Sequence, residues 1–208
     1  MTSLSVVTGI DRSDDYIRFA RQSIVDKRAS FVVGDAQNLC VASAAYDAVV
    51  SGLVLNFVPE PLRMITEMAR AARQNGIIGL YVWDYADKME LMRYFWNAAA
   101  ALDPAAHLLD EGARFTICKL DVLAALFHDA GLKNVRTHVI DIPTDFRNFD
   151  DYWLPFLGGQ GSAASYIMGL NDTQRATLRE RIRSTLPIEP NGSIHLIARA
   201  LSVCGSCS

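Results

Sequence analysis

The chain has 208 residues, half of them hydrophobic and 21% charged, which suffices for one domain with a sizeable core and excludes a disordered chain. A formal net charge of −3, with basic residues scattered rather than clustered, gives no electrostatic footprint for nucleic acid or an anionic membrane. No apolar run reaches the roughly 20 residues that a bilayer-spanning helix needs.

Strand and helix signals alternate from the start, the pattern of an α/β domain with a mostly parallel sheet. Leu4 to Ile10 reads as a buried strand ending in Asp11. Ser13 is placed to cap a helix carrying Ile17, Ala20, Arg21 and Ile24 at helical spacing. Ala29 to Val33 is a second strand, ending at Gly34-Asp35. Tyr46 to Leu55, with its run AVVSGLVL, is a third. Pro61 opens a helix whose apolar face is Leu62, Ile65, Met68, Ala69 and Ala72, and Asn75-Gly76 is its expected stop. Ile77 to Val82 is a fourth strand. Further on, Lys88 to Leu102 and Asp121 to Ala130 read as helices, closed by Asp103-Pro104 and Gly131. Val135 to Ile142 is a strand. Pro143 to Gly169 is aromatic and glycine-rich, with breaks at Pro155 and Gly158-Gly159. Asp172 is expected to cap a charged helix through Leu186. Ile194 to Val203 is the final strand, after a turn at Pro190-Asn191-Gly192. With no repeat or linker, a single domain over 1–208 is expected.

The four cysteines do not form a metal or redox pattern. Cys204 and Cys207 make a CGSC at the end of the chain, with no second pair to complete a zinc site, and a frayed tail is expected there. His107, His128, His138 and His195 have no ligand spacing, so no metal is expected. The opening MTSLSVVTGIDRSDD has no basic region ahead of its short apolar run. A signal peptide is therefore not expected, and a cytoplasmic location with reduced thiols is.

In doubly wound sheets ligands bind beyond the C-terminal strand ends, so the residues where strands stop carry the information. Asp11 can accept both hydroxyl hydrogens of a ribose, or it can simply cap the next helix. Asp35-Ala36 can offer a carboxylate and an amide to an adenine edge, or can form an ordinary turn. Ser51-Gly52 is small enough for a ligand to approach the backbone.

The runs VVTGIDRSDDYIRFAR, FVVGDAQNL, YDAVVSGLVLNFVPEP and EMARAARQNGIIGLYVWDY resemble the cofactor-binding half of a class I S-adenosylmethionine (SAM)-dependent methyltransferase, closest to the small-molecule branch of ubiquinone-biosynthesis type. The resemblance is strong to about Tyr85 and looser beyond. It implies a Rossmann-like fold with an antiparallel C-terminal sheet edge, formed by Val135–Ile142 and Ile194–Val203. Residues 1–85 would be a partial cofactor half and 86–208 a substrate and lid half. It further implies that Asp11 holds the SAM ribose, that Asp35 and Ala36 flank the adenine with Gln37 beside them, and that Ser51 and Leu53 lie near the methionine end.

The family's first strand ends in a GxGxG-type turn about 20 residues before the ribose carboxylate. Asp11 has only ten residues before it. The expectation is that the first strand, its glycine loop and the following helix are missing from this sequence, whether through a misplaced start or in a remnant gene. Such a chain is expected to bind SAM poorly and to expose strand edges.

Methyl transfer from SAM is an in-line displacement in which positioning does much of the work. Trp83, Asp84 and Tyr85 follow a strand end and are the first candidates for the acceptor side. Asp84 is the candidate catalytic group, as an orienting residue or base. Trp96, Tyr152 and Trp153, with Phe156, could wall an acceptor, or could be core and lid packing. The expected partner is a small-molecule methyl acceptor. A cofactor-free binding protein and an NAD-type oxidoreductase are the alternatives, the latter because Asp11 would serve an NAD ribose equally well.

Overall fold

A computed structural model of the protein describes residues 5–158 and 161–208. These divide into two compact units. The first holds residues 5–80, 124–136 and 203–208, and the second 81–123 with 137–202.

In the first unit, β1 (Val7–Asp11) leads into α1 (Asp14–Ser23) and β2 (Ala29–Val33). Ser13 caps α1 as its position suggests, its Oγ accepting from the amide of Tyr16 at 3.3 Å. The helix lies on the strands through buried Ile17 and through Arg21, which donates to the Phe31 carbonyl. β1 and β2 pair in parallel, with Val7 opposite Ala29 and Asp11 opposite Val33. Gly9 in β1 is a packing glycine: a Cβ there would stand 2.8 Å from the Phe31 ring.

β3 (Tyr46–Gly52) stops three residues earlier than its apolar run, because Leu55–Phe57 closes into a single 3-10 turn. α2 (Pro61–Ala71) starts on its proline, and buries Met64, Ile65, Met68 and Ala71. It does not run to Asn75-Gly76. Ala72 is already extended, and β4 spans Ala72–Trp83, with Asn75 at φ +60° within it. β3 and β4 ascend together, Ala45 meeting Ala71, Asp47 pairing with Arg73 and Val50 lying by Gly79.

In the second unit, α3 (Glu90–Leu102) packs its Phe95, Trp96, Ala98 and Ala99 into an aromatic core. α4 (Glu111–Arg114) is one turn, and α5 (Leu120–Asp129) starts in this unit and, from Ala124 to its stop at Gly131, φ +79°, belongs to the first. β5 (Lys133–Phe146) is followed by α6 (Phe149–Trp153), a 3-10 turn at Leu154–Leu157 and α7 (Gly161–Gly169); of the expected glycine break, Gly159 lies outside the described residues. α8 (Asp172–Thr185) is capped by Asn171 rather than Asp172. A reciprocal box with Gln174 satisfies two amides that Asp172 could not reach.

β6 (Ile194–Ser206) is longer than its sequence signal and takes in Cys204 and Gly205. The expectation of a frayed CGSC tail is corrected. The Cys207 amide donates to the Gly76 carbonyl at 3.0 Å, and Gly205 packs so tightly that a Cβ would meet Lys133, Phe127 and Leu132 within 3.3 Å. β5 and β6 run oppositely, Ser206 meeting Asn134, Ser202 meeting His138, Arg199 meeting Asp141 and His195 meeting Asp145. The strand order is β3-β4-β6-β5 in one sheet, with β1-β2 as a separate pair. Parallel pairing precedes Trp83 and antiparallel pairing forms the C-terminal edge, an α/β Rossmann-like arrangement. Val50 in β3 and Val6 just ahead of β1 stand 77% and 75% exposed, so strands with a sequence suited to burial on both faces are open here.

Candidate functional site

At the end of β1, Asp11 spends one carboxylate oxygen locally: Oδ1 accepts from the Ser13 amide at 2.8 Å. Asp35, two residues past β2, does the same, Oδ1 accepting from the Gln37 amide at 2.9 Å. Both side chains are half-buried. Among the described residues, Oδ2 of each has no hydrogen-bond partner. Asp35 thus has the turn role weighed from sequence, whereas Asp11 braces the Ser13 cap without capping the helix itself, and each bond engages only one oxygen of its carboxylate. The Gln37 amide is the main influence holding Asp35 below the ordinary carboxylate range, with Arg12 and Arg63 adding positive charge nearby.

The β3 end adds backbone strain. Leu53 has φ +60°, a left-handed conformation that costs an L-residue with a branched side chain roughly 1–2 kcal/mol. Ser51 and Leu53 are half-buried, and Gly52 between them is exposed. Sequence reasoning missed Asn56, whose buried Nδ2 has no acceptor among the described residues. An isolated asparagine in an apolar run gave no periodic signal. An open groove of this unit, about 530 Å³ along Glu60, Pro61, Leu62, Arg63, Thr66 and Leu126, contains none of the expected site residues.

In the second unit, Trp83 ends β4 and is half-buried. Asp84 is 9% exposed; its amide donates to the Arg199 carbonyl, and its Oδ1 accepts from the Asp87 amide at 3.2 Å. Tyr85 lies 5.4 Å from the Phe115 ring, and burial pushes its phenol up to about 12, so it is a neutral hydrogen-bonding group at physiological pH. Cys118 is likewise buried and its thiol pushed up to about 12, an unreactive form. Glu111, also buried, accepts from Trp96 Nε1 at 2.5 Å, and Arg93 pairs with Asp110 beside it. Arg93, Asp110 and Glu111 carry no signal in the sequence, because 17 positions separate the arginine from its partner.

Trp96, Tyr152 and Trp153 are placed in the aromatic core. Trp96 is 1% exposed, Tyr152 is fully buried with its hydroxyl donating to the Leu91 carbonyl at 2.8 Å, and Trp153 stacks on Phe149. Their polar atoms are satisfied internally where a bond is seen, and they fill core volume as Phe95 and Phe156 do. Asp11, Asp35, Ala36, Gln37, Ser51 and Leu53 belong to the first unit, and the acceptor candidates belong to the second.

Residues 2–80 match the family model described as a methyltransferase domain. Over this stretch the chain is similar to methyltransferase domains. The chain is 34% identical over 115 residues to the human thiol S-methyltransferase TMT1A, covering 53% of this chain and 46% of that protein. It is 35% identical over 74 residues to a phosphatidylethanolamine N-methyltransferase of Cereibacter sphaeroides, covering 34% and 36%. It spans less than half the length of either relative. Its fold is similar to the crystal structure of YcgJ from Bacillus subtilis, with a TM-score of 0.59 at 16% identity over 98% of this chain and 82% of that one. Among the described residues, no helix is long and apolar enough to cross a membrane, and no group of His, Cys, Asp or Glu could hold a metal ion.

The donor set of this domain suits a nucleoside. Two carboxylate oxygens with no hydrogen-bond partner among the described residues can accept from ribose hydroxyls and from an adenine amine. The sequence has no G-x-G-x-G turn to follow the backbone of a ligand's methionine end.

Proposed function

We propose that this chain binds SAM at the ends of β1, β2 and β3 and serves methyl transfer to a small organic acceptor. The observation that carries the reading is the pair Asp11, which ends β1, and Asp35, two residues past its parallel partner β2, each with one carboxylate oxygen that has no hydrogen-bond partner among the described residues. In this reading Asp11 takes the ribose hydroxyls, Asp35 and the Ala36 amide take the adenine edge, and Gln37 backs them. Ser51 and Leu53 adjoin the methionine end. When bound, SAM supplies an electrophilic methyl group on a sulfonium centre.

On the acceptor side, Trp83 and Tyr85 offer half-buried aromatic surface, and Asp84 is the orienting carboxylate. Trp96, Tyr152 and Trp153 support that side from the core rather than by contact. The relatives' names speak of a thiol and of the amine of phosphatidylethanolamine. Both are nucleophiles that need at most one proton removed, which a carboxylate or water can accept. A cytoplasmic setting belongs to the same reading.

The test is calorimetric titration of the chain with SAM, S-adenosylhomocysteine and NADH. Binding of the two adenosyl ligands, weakened by Asp11→Ala, supports the assignment. Binding of NADH in preference to SAM would sink it, and no binding of any of the three would favour a protein without a cofactor.

A further inference from the structure

The segment between β2 and β3, residues 34–45, carries Asp35 and Ala36 yet has almost no regular structure of its own. A free loop of that length would sample many conformations, and a ligand would have to order it on binding. Here α2 holds it from end to end. The Glu60 amide donates to Gln37 Oε1 at 2.9 Å, and Arg63 Nε donates to the Gln37 carbonyl at 3.1 Å. The Leu39 amide donates to Glu67 Oε2 at 2.9 Å. The Ala44 and Ala45 amides donate to the carbonyls of Arg70 and Ala71, both at 2.9 Å.

Arg70 is the centre of this arrangement. Its guanidinium donates to the carbonyls of Leu39 and Val41 and to Ser43 Oγ, each at 3.0 Å. Its remaining N–H groups grip both oxygens of Glu67 at 2.8 and 2.9 Å. All five donors of the planar fork are thereby used, which an ammonium group cannot reproduce. Glu67 and Arg70 sit one helical turn apart, on the face of α2 turned to the loop.

We propose that Glu67 and Arg70 are positioning residues for the nucleoside end of the cofactor: they lock loop 34–45 so that Asp35 and Ala36 stand in place at the end of β2 before the ligand arrives. The inference rests on the assignment of Asp35 and Ala36 made above. The Glu67 carboxylate is held below its ordinary range chiefly by Arg70, so the pair stays charged across the physiological range.

The experiment compares wild type with Arg70→Met, Arg70→Lys and Glu67→Gln. It measures affinity for SAM, S-adenosylhomocysteine and adenosine, together with hydrogen exchange resolved by residue. Arg70→Met is expected to weaken all three ligands by the same factor, about tenfold, since it removes several charge-assisted bonds. Arg70→Lys restores little of this, and Glu67→Gln, which keeps an acceptor, loses less. The amides of Leu39, Ala44 and Ala45 should exchange faster while those of β1 and β4 keep their protection. Should Arg70→Met lose protection throughout the chain, the same comparison on Glu67→Gln decides. Faster exchange in the loop with unchanged adenosine affinity overturns the positioning role and leaves the cofactor site standing. A wild-type chain that binds neither SAM nor adenosine overturns both.

Discussion

The amide of Gly34 donates to the carbonyl of Asp11 at 3.0 Å, one step beyond the last paired residues of β1 and β2. This bond carries the parallel ladder to the point where both strands stop, and it fixes Asp35 beside Asp11 at the same rim. Two acidic residues 24 positions apart in sequence become neighbours through the backbone alone.

Asp11→Ala should weaken SAM binding by about 1–3 kcal/mol, the usual worth of hydrogen bonds to a charged group. Asp11→Asn keeps the shape and the bond to the Ser13 amide but not the charge, and should lose less. Isothermal calorimetry reads both, and equal affinities for wild type and Asp11→Ala would remove Asp11 from the site.

Ala44→Gly should stabilise the fold. Ala44 is exposed at φ +53°, where glycine avoids the Cβ clash at some entropic cost, so a net gain of about 0.5–1 kcal/mol is expected. Urea unfolding measures it. A lower midpoint with unchanged slope would show that the left-handed turn carries no relievable strain.

The Arg147–Asp151 pair should report on acid stability. Hydrogen bonds from the Arg147 side chain and amide lower Asp151 from 3.8 to about 2. A carboxyl group lowered on folding stabilises the native state above its unfolded value and loses that contribution as pH falls from 3.8 toward 2. The stability difference between wild type and Asp151→Asn should therefore shrink across that window and be constant above about pH 5, near the top of such a transition. The pair is exposed to solvent, so the whole effect is small and should fade in salt. A difference that grows on acidification would refute the pairing.

Thiol labelling should separate the cysteines by burial. Exposed Cys40 should react rapidly with a disulfide reagent in the native protein. Cys118, 3% exposed and with its thiol raised to about 12, should react only on unfolding. Mass spectrometry of the labelled peptides reads the result, and fast native labelling at Cys118 would contradict its placement.

Local elements were legible because their causes are local. The Ser13 cap, the Pro61 helix start, β2 at Ala29–Val33 and the Gly131 stop all follow from neighbours within a few residues. The candidate carboxylates were legible for the same reason: a short acidic residue after an apolar run marks a strand end whether or not the rest of the sheet is known. Tertiary structure decided what depends on distant partners. It extended β6 through Cys204 and Gly205, because Gly76 and the residues around Lys133 supply bonds and packing that the sequence near residue 205 does not announce. It consigned Trp96 and Tyr152 to the core, since an aromatic residue at helical spacing reads alike whether it faces a ligand or Phe95. It also bound loop 34–45 to Glu67 and Arg70, a set of contacts between residues some 30 positions apart that only the packing of α2 against the strands brings within hydrogen-bonding reach.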